Sequence, residues 1–329
     1  SNQDGMDRTG GLRQSHPMHL IIPYAASHAF TGPEALADLQ LPHLQNLLAL
    51  LQRQTLQQDS DDTPLHMPHE RLHAQALGWS AELDALPWAA WQTAQMGTTP
   101  QAWMTPCHWQ IGMDQVVMLD PASLFLSDDE SQQLLQAMQP FLQEDGLLVT
   151  WHSALKWHVQ GELLTDLACA SLDRVIGQNI KRWIPESPAA RPLQRLQSEM
   201  QMLLYNHPVN NARDARRQIS VNSFWLHGAG TLPVMTLTSH QEIHVPEVLR
   251  HSALRGDVQA WRQAWQRLDA TAVADLLTHF QATGQATLSL CSEHAAQTYE
   301  AAPAAWHQRI TRLFNKTTPA AALAALITP

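Results

Sequence analysis

Two short apolar runs stand near opposite ends of this chain, and helical stripes alternate with further strand-like runs between them. His19-Leu20-Ile21-Ile22 stops at Pro23 and reads as a buried first strand. Thr287-Leu288-Ser289-Leu290-Cys291 reads as a last one. Residues 36–51 carry apolar residues at helical spacing, with Pro42 at a helix start, and Pro68 to Gly78 opens on proline and closes on glycine. Ser127 can cap a helix while Glu130 reaches back, a capping box. Leu134, Leu135, Met138 and Phe141 continue its apolar face; Gly146 breaks it, and residues 147–151 are strand-like. Leu193, Leu196, Met200, Leu203 and Leu204 stripe a helix over 191–205, and residues 261–280 predict another. Residues 223–226 predict a strand entering a turn at Gly228-Ala229-Gly230. Strands alternating with helices predict an α/β fold with helices packed on a sheet. No period of 20–50 residues is present, so a repeat array is not expected.

The 329 residues suffice for two domains or one large domain with an insertion. A formal charge of −10 disfavours nucleic acid or an anionic membrane as the main partner, since both require basic patches. No apolar run approaches the length of a membrane span. Three scattered cysteines, Cys107, Cys169 and Cys291, form no disulfide framework and fit a reducing cytoplasm. Residues 1–17 lack an apolar signal core and are expected to be a tag or a disordered tail. Trp88, Trp103, Trp109 and Trp183 sit in loop-like contexts, where large rings can staple irregular segments to a core.

Two segments carry a resemblance. They are Tyr205-Asn206-His207-Pro208-Val209-Asn210-Asn211-Ala212-Arg213 and Val221-Asn222-Ser223-Phe224-Trp225-Leu226-His227-Gly228-Ala229-Gly230. Together they resemble the HPVN-x-x-R and N-x-x-W-x-x-G-x-G signature of archaeal-type, cofactor-independent phosphoglycerate mutases, members of the alkaline-phosphatase-like superfamily. The Leu41–Leu48 helix and the capping-box helix at Ser127 also look like family elements. The resemblance covers roughly residues 18–230 and points to a divergent proteobacterial, mutase-like or regulatory branch. It implies an alkaline-phosphatase-like sheet core flanked by helices, built as residues 18–85 and 221–329. A smaller inserted α/β domain, 86–220, would close over it, with a ligand in the cleft.

Family chemistry needs two divalent cations and an activated hydroxyl. An Asp-Gly is expected after the first strand, yet the chain reads Pro23-Tyr24-Ala25-Ala26-Ser27 there. The nucleophilic serine aligns with His69, followed by Glu70, which leaves these two as the catalytic candidates. Glu293-His294 resembles one later ligand pair and supplies the metal candidates. His66, His69 and His73 could share a helix face, but with 18 histidines in the chain a surface or capping role is favoured, as it is for His240 and His244. Within the signature, Arg213 suits bidentate capture of a carboxylate or phosphate, with His207, Asn210, Asn222 and His227 as further ligand contacts. The same residue types also build turns and domain junctions. Cys107-His108 reads as buried structure. Dinucleotide, P-loop and hydrolase-elbow motifs are absent.

Two functional readings follow. In the first, the chain is mutase-like without metal-dependent catalysis, needs no cofactor, and binds a small anion or a protein partner in a regulatory role in the cytoplasm. In the second, it is an active phosphomutase or phosphohydrolase using Mn or Zn at a rearranged site.

Overall fold

The computed structural model describes residues 16–60, 64–80, 85–95, 97–232, 241–302 and 317–328. Most of the expected tail at 1–17, and His240, lie outside the described residues. The strands in chain order are β1 (Met18–Ile22), β2 (Gln52–Arg53), β3 (Gln57–Gln58), β4 (Gln101–Cys107), β5 (Trp109–Ile111) and β6 (Val116–Met118). They continue with β7 (Leu148–Ser153), β8 (Lys156–Gln160), β9 (Ser223–Gly230), β10 (Glu242–His244), β11 (Thr287–Cys291) and β12 (Ala295–Glu300).

One sheet runs β10-β1-β11-β12-β2, with β3 also paired to β12. β1 is parallel to both β10 and β11, while β12 turns back antiparallel. Leu20, Ile21 and Ile22 are buried on both faces of β1, as a central parallel strand requires. Helices Pro42–Leu50 and Val258–Leu268 cover this sheet. The first begins at Leu41, whose side chain cannot cap it. Asp269 supplies the cap from afar, accepting the Leu44 amide at 2.8 Å and the His43 amide at 3.2 Å. Asp269 opens a single π-helical turn, Asp269–Val273, between two α-helical segments. The whole is a mixed α/β fold, with a central mixed sheet flanked by helices.

A second sheet, β7-β8-β4-β9, is antiparallel throughout. Helices Asp128–Glu144 and Arg191–Tyr205 bury their apolar stripes against it. β9 belongs to this sheet, so the return to the first sheet falls after Gly230 rather than at 221. The turn expected at Gly228-Ala229-Gly230 is instead the end of β9, bent beside a register shift in β4. Gly228 has φ +61°, and a Cβ there would lie 3.2 Å from the Trp88 Cβ and 3.3 Å from the Ala89 amide. Close approach, not chain reversal, is why glycine stands there. All three cysteines are free and buried. No described helix is long and apolar enough to cross a membrane.

Candidate functional site

A cavity of about 420 Å³ lies between the two sheets. Pro23 and Val245, just past the carboxyl ends of β1 and β10, form part of its floor, the usual place for a site on parallel strands. Trp103, Thr105, Lys156 and His227 reach it from the second sheet.

Two segments meet at one wall. The helix Pro68–Ala76 has proline in its first turn, and the Glu70 carboxylate accepts the Met67 amide at 2.8 Å. The short helix Leu172–Val175 starts at Ser171, whose hydroxyl caps the Arg174 amide. The Ser171 amide donates to the Leu65 carbonyl at 2.9 Å, and Arg174 donates to the His66 carbonyl at 2.8 Å. These bonds lock the two helix starts side by side. His69, Glu70 and Asp173 therefore converge, with one ligand atom from each lying within 4.8 Å of the others.

The electrostatics of this group follow from burial. Desolvation pushes the Glu70 carboxyl up to about 8, and the charge of Asp173 adds to it. Desolvation lowers His69 to about 4 despite Asp173, so its ring is neutral near pH 7. Arg250 donates from Nε to Asp173 Oδ1 at 2.7 Å, while His69 Nε2 stands 3.8 Å from Oδ2. His69 Nδ1 is buried without a hydrogen-bond partner.

The opposite wall is aromatic and polar. The Thr105 hydroxyl donates to the Leu155 carbonyl at 2.8 Å and meets His227 Nε2 at 2.8 Å. A hydroxyl has one proton, so Nε2–H of His227 must donate and Nδ1 keeps a lone pair. Burial, reinforced by Lys156, lowers His227 to about 3, which keeps it neutral. The Trp103 indole donates to Gln92 Oε1 at 2.7 Å, and the Lys156 ammonium sits 5.1 Å over its ring. His73 packs against Trp88 with ring centroids 4.8 Å apart.

The predicted residues divide sharply. His69, Glu70 and His227 line the cavity. His66 and His73 do too, which corrects the surface or capping role favoured for them; only His69 joins the donor group. Arg213 does not line it and is 1% exposed. Its Nε donates to the Ile219 carbonyl at 2.7 Å, Nη1 forks onto Glu130 at 3.0 and 3.1 Å, and Nη2 donates to the Leu124 carbonyl at 2.5 Å. All three guanidinium nitrogens are engaged by groups of the second sheet's helices and loops, so the ligand role expected for it is corrected to a structural one.

The same holds for most of the signature. Asn210 bonds the Leu204 and Val221 carbonyls and the Val221 amide. Asn222 pairs with both backbone groups of Trp109. His207 caps the helix Pro208–Ala215 by accepting the Val209 amide at 3.1 Å. Glu293 and His294 fall in the turn between β11 and β12 and are not members of the donor group. Glu293 takes the Ser27 hydroxyl at 2.5 Å and the His28 amide at 3.1 Å. His294 stands 3.9 Å from Asp59, and Arg174 lies within 3.4 Å of its Nδ1. The four-residue site His69, Glu70, Glu293 and His294 thus does not assemble. Asp173, Arg250 and Lys156 were not singled out from the sequence; each sits in an ordinary helix start or strand end, with no local signal.

The fold and cavity define a two-sheet α/β protein whose polar cleft opens at the ends of parallel strands. No protein-family model matches the chain, and no curated protein matches it. Among solved structures it is similar to a cofactor-independent phosphoglycerate mutase from Thermoplasma acidophilum. Identity is 12%, the TM-score is 0.38, and the match covers 94% of this chain and 95% of that one. It is also similar to a Pyrococcus horikoshii protein at 12% identity and TM-score 0.48, covering 88% of each chain.

Proposed function

We propose that this chain is a phosphoglycerate-mutase-like binding protein, in a regulatory role, that holds a small molecule with an anionic group in the cleft cavity. The observation that carries the reading is Lys156. Among the described residues its ammonium has no carboxylate partner within 4 Å, and it is held over Trp103 at the cavity wall. Arg250, the other cation lining the cavity, is already spent on Asp173. An open cavity favours a small ligand over a protein partner, for which a filled cleft is expected.

The residues present also argue against the two-metal hydroxyl mechanism of the resembled family. The position expected to be serine is His69, neutral and buried. The segment after β1 offers no carboxylate; the Trp261 and Trp265 indoles instead take its carbonyls at Tyr24 and Ala25, each at 2.9 Å. Among the described residues a single three-donor group forms, where a two-metal clamp needs two.

The test is a thermal-shift screen of three-carbon phosphates and carboxylates, with inorganic phosphate as the simplest probe. Binding at a hundredfold excess over Kd stabilises by about 2.7 kcal/mol. The expected result is a shift that disappears in Lys156→Met, without turnover of phosphoglycerates when Mn²⁺ is added. Metal-stimulated mutase or phosphatase turnover would overturn the reading, as would a ligand whose shift survives Lys156→Met.

A further inference from the structure

The cavity wall carries a second chemistry that the anion reading does not use. His69, Glu70 and Asp173 present one imidazole nitrogen and two carboxylate oxygens within 4.8 Å of one another. The His69 Nε2 to Asp173 Oδ2 gap is 3.8 Å. That is too long for a hydrogen bond. Two ligands of one tetrahedral ion, each roughly 2.0–2.1 Å from it, stand about 3.4 Å apart. The observed gap is therefore near that of two ligands awaiting a shared cation.

The two carboxylates are held from outside, Glu70 by the Met67 amide and the Ser171 side chain and Asp173 by Arg250. The Met67 amide takes Glu70 Oε2, and Arg250 takes Asp173 Oδ1 and leaves Oδ2 toward His69. The Tyr24 ring lies 6.0 Å from that of His69. Outer contacts like those on the two carboxylates are what orient the ligands of a built metal site. An independent sign comes from the unmet hydrogen bonds. His69 is buried and its Nδ1 has no partner. Asp120, which lines the same cavity, has a buried and unpartnered Oδ2. Buried polar atoms without partners are uncommon and call for a missing partner.

We propose that His69, Glu70 and Asp173 form a mononuclear site for a divalent transition cation, with its open coordination positions facing the cavity. One nitrogen and two carboxylate oxygens suit Zn²⁺, Co²⁺ or Mn²⁺. With both carboxyls ionised, Arg250 leaves the group one negative charge, and a divalent ion reverses that sign. The site is distinct from a two-metal clamp and from Glu293-His294. It does not depend on the identity of any small ligand.

The experiment uses tag-free protein and Co²⁺ alone, read by equilibrium dialysis and by visible d–d absorption. The expected result is one Co²⁺ per chain, displaced by Zn²⁺. Losing a direct ligand in His69→Gln should weaken binding by at least about tenfold, the lower end of what outer contacts are worth. His294→Ala should leave it unchanged. If His69→Gln does not fold, Asp173→Asn serves instead, since its amide oxygen still accepts from Arg250 while one charge is lost. Its Co²⁺ affinity should fall by a similar factor, with the protein still folded at the assay temperature by circular dichroism. Absence of stoichiometric Co²⁺ in the wild type overturns the proposal. So does binding that survives both His69→Gln and Asp173→Asn, or that is lost only in His294→Ala.

Discussion

Arg213 is where the sequence and the structure lead to different experiments. A ligand arginine, once replaced, loses binding and leaves the fold intact. The arginine seen here does the opposite. Replacement by Met keeps most of the aliphatic stem and removes four hydrogen bonds. The Leu124 carbonyl is left buried and unpaired, at a cost of about 2 kcal/mol. Ile219 is 41% exposed, so water can replace the lost donor at its carbonyl for a few tenths. The Glu130 side chain is 17% exposed, so the lost ion pair contributes about 1 kcal/mol rather than the several expected of a fully buried pair. The expected loss is therefore about 3 kcal/mol, measured by urea denaturation followed through tryptophan fluorescence.

Arg213→Lys should recover little, because one ammonium cannot meet two carbonyls and a carboxylate in different directions. The pH dependence gives a second signature. Burial alone would raise the Glu130 carboxyl, and the Arg213 guanidinium with the Ser127 backbone outweighs it, leaving it below its ordinary value. A depressed carboxyl stabilises above its unfolded pKa of about 4.3, and that stability is lost as pH falls through the folded value. The gap between wild type and Arg213→Met should thus be full at pH 7 and narrow in acid. A loss under about 1 kcal/mol, or normal stability with selectively lost Co²⁺ or anion binding, would refute the structural role.

Two further outcomes are expected. His19, on β1, meets Ser289 at 2.8 Å, and burial, then His73, lower it to about 4 from 6.5. The unfolded chain takes up this proton first, so stability should fall as pH drops from about 6.5 to 4, by roughly 3 kcal/mol from this group. His19→Gln should flatten that part of the stability profile, and an unchanged slope would show that His19 is not the group responsible. Gly228→Ala should destabilise by about 1–3 kcal/mol, from the positive φ and from contact with Trp88 and Ala89, read as a fall in melting temperature. An unchanged melting temperature would mean that β9 shifts freely there.

Local rules were enough for elements whose signals lie within a few residues. The helix Arg191–Tyr205 and the strand Thr287–Cys291 begin and end where their stripe and apolar run predict. The Ser127–Glu130 capping box forms as read, with the Glu130 amide donating to Ser127 Oγ at 3.1 Å. His69 and Glu70 were singled out together because the resemblance aligns His69 with the nucleophilic serine and Glu70 follows it in sequence. Asp173 was not, since more than a hundred residues separate it from them and tertiary bonds, among them those at Leu65, His66, Ser171 and Arg174, bring the segments together. Arg213 shows the other limit. A guanidinium offers the same donors to a ligand phosphate as to Glu130 and two carbonyls. Its residue type determined that it would bind something oxygen-rich, and only the packing of the helix Pro208–Ala215 against Asp128–Glu144 decided that the partner lies within the protein itself.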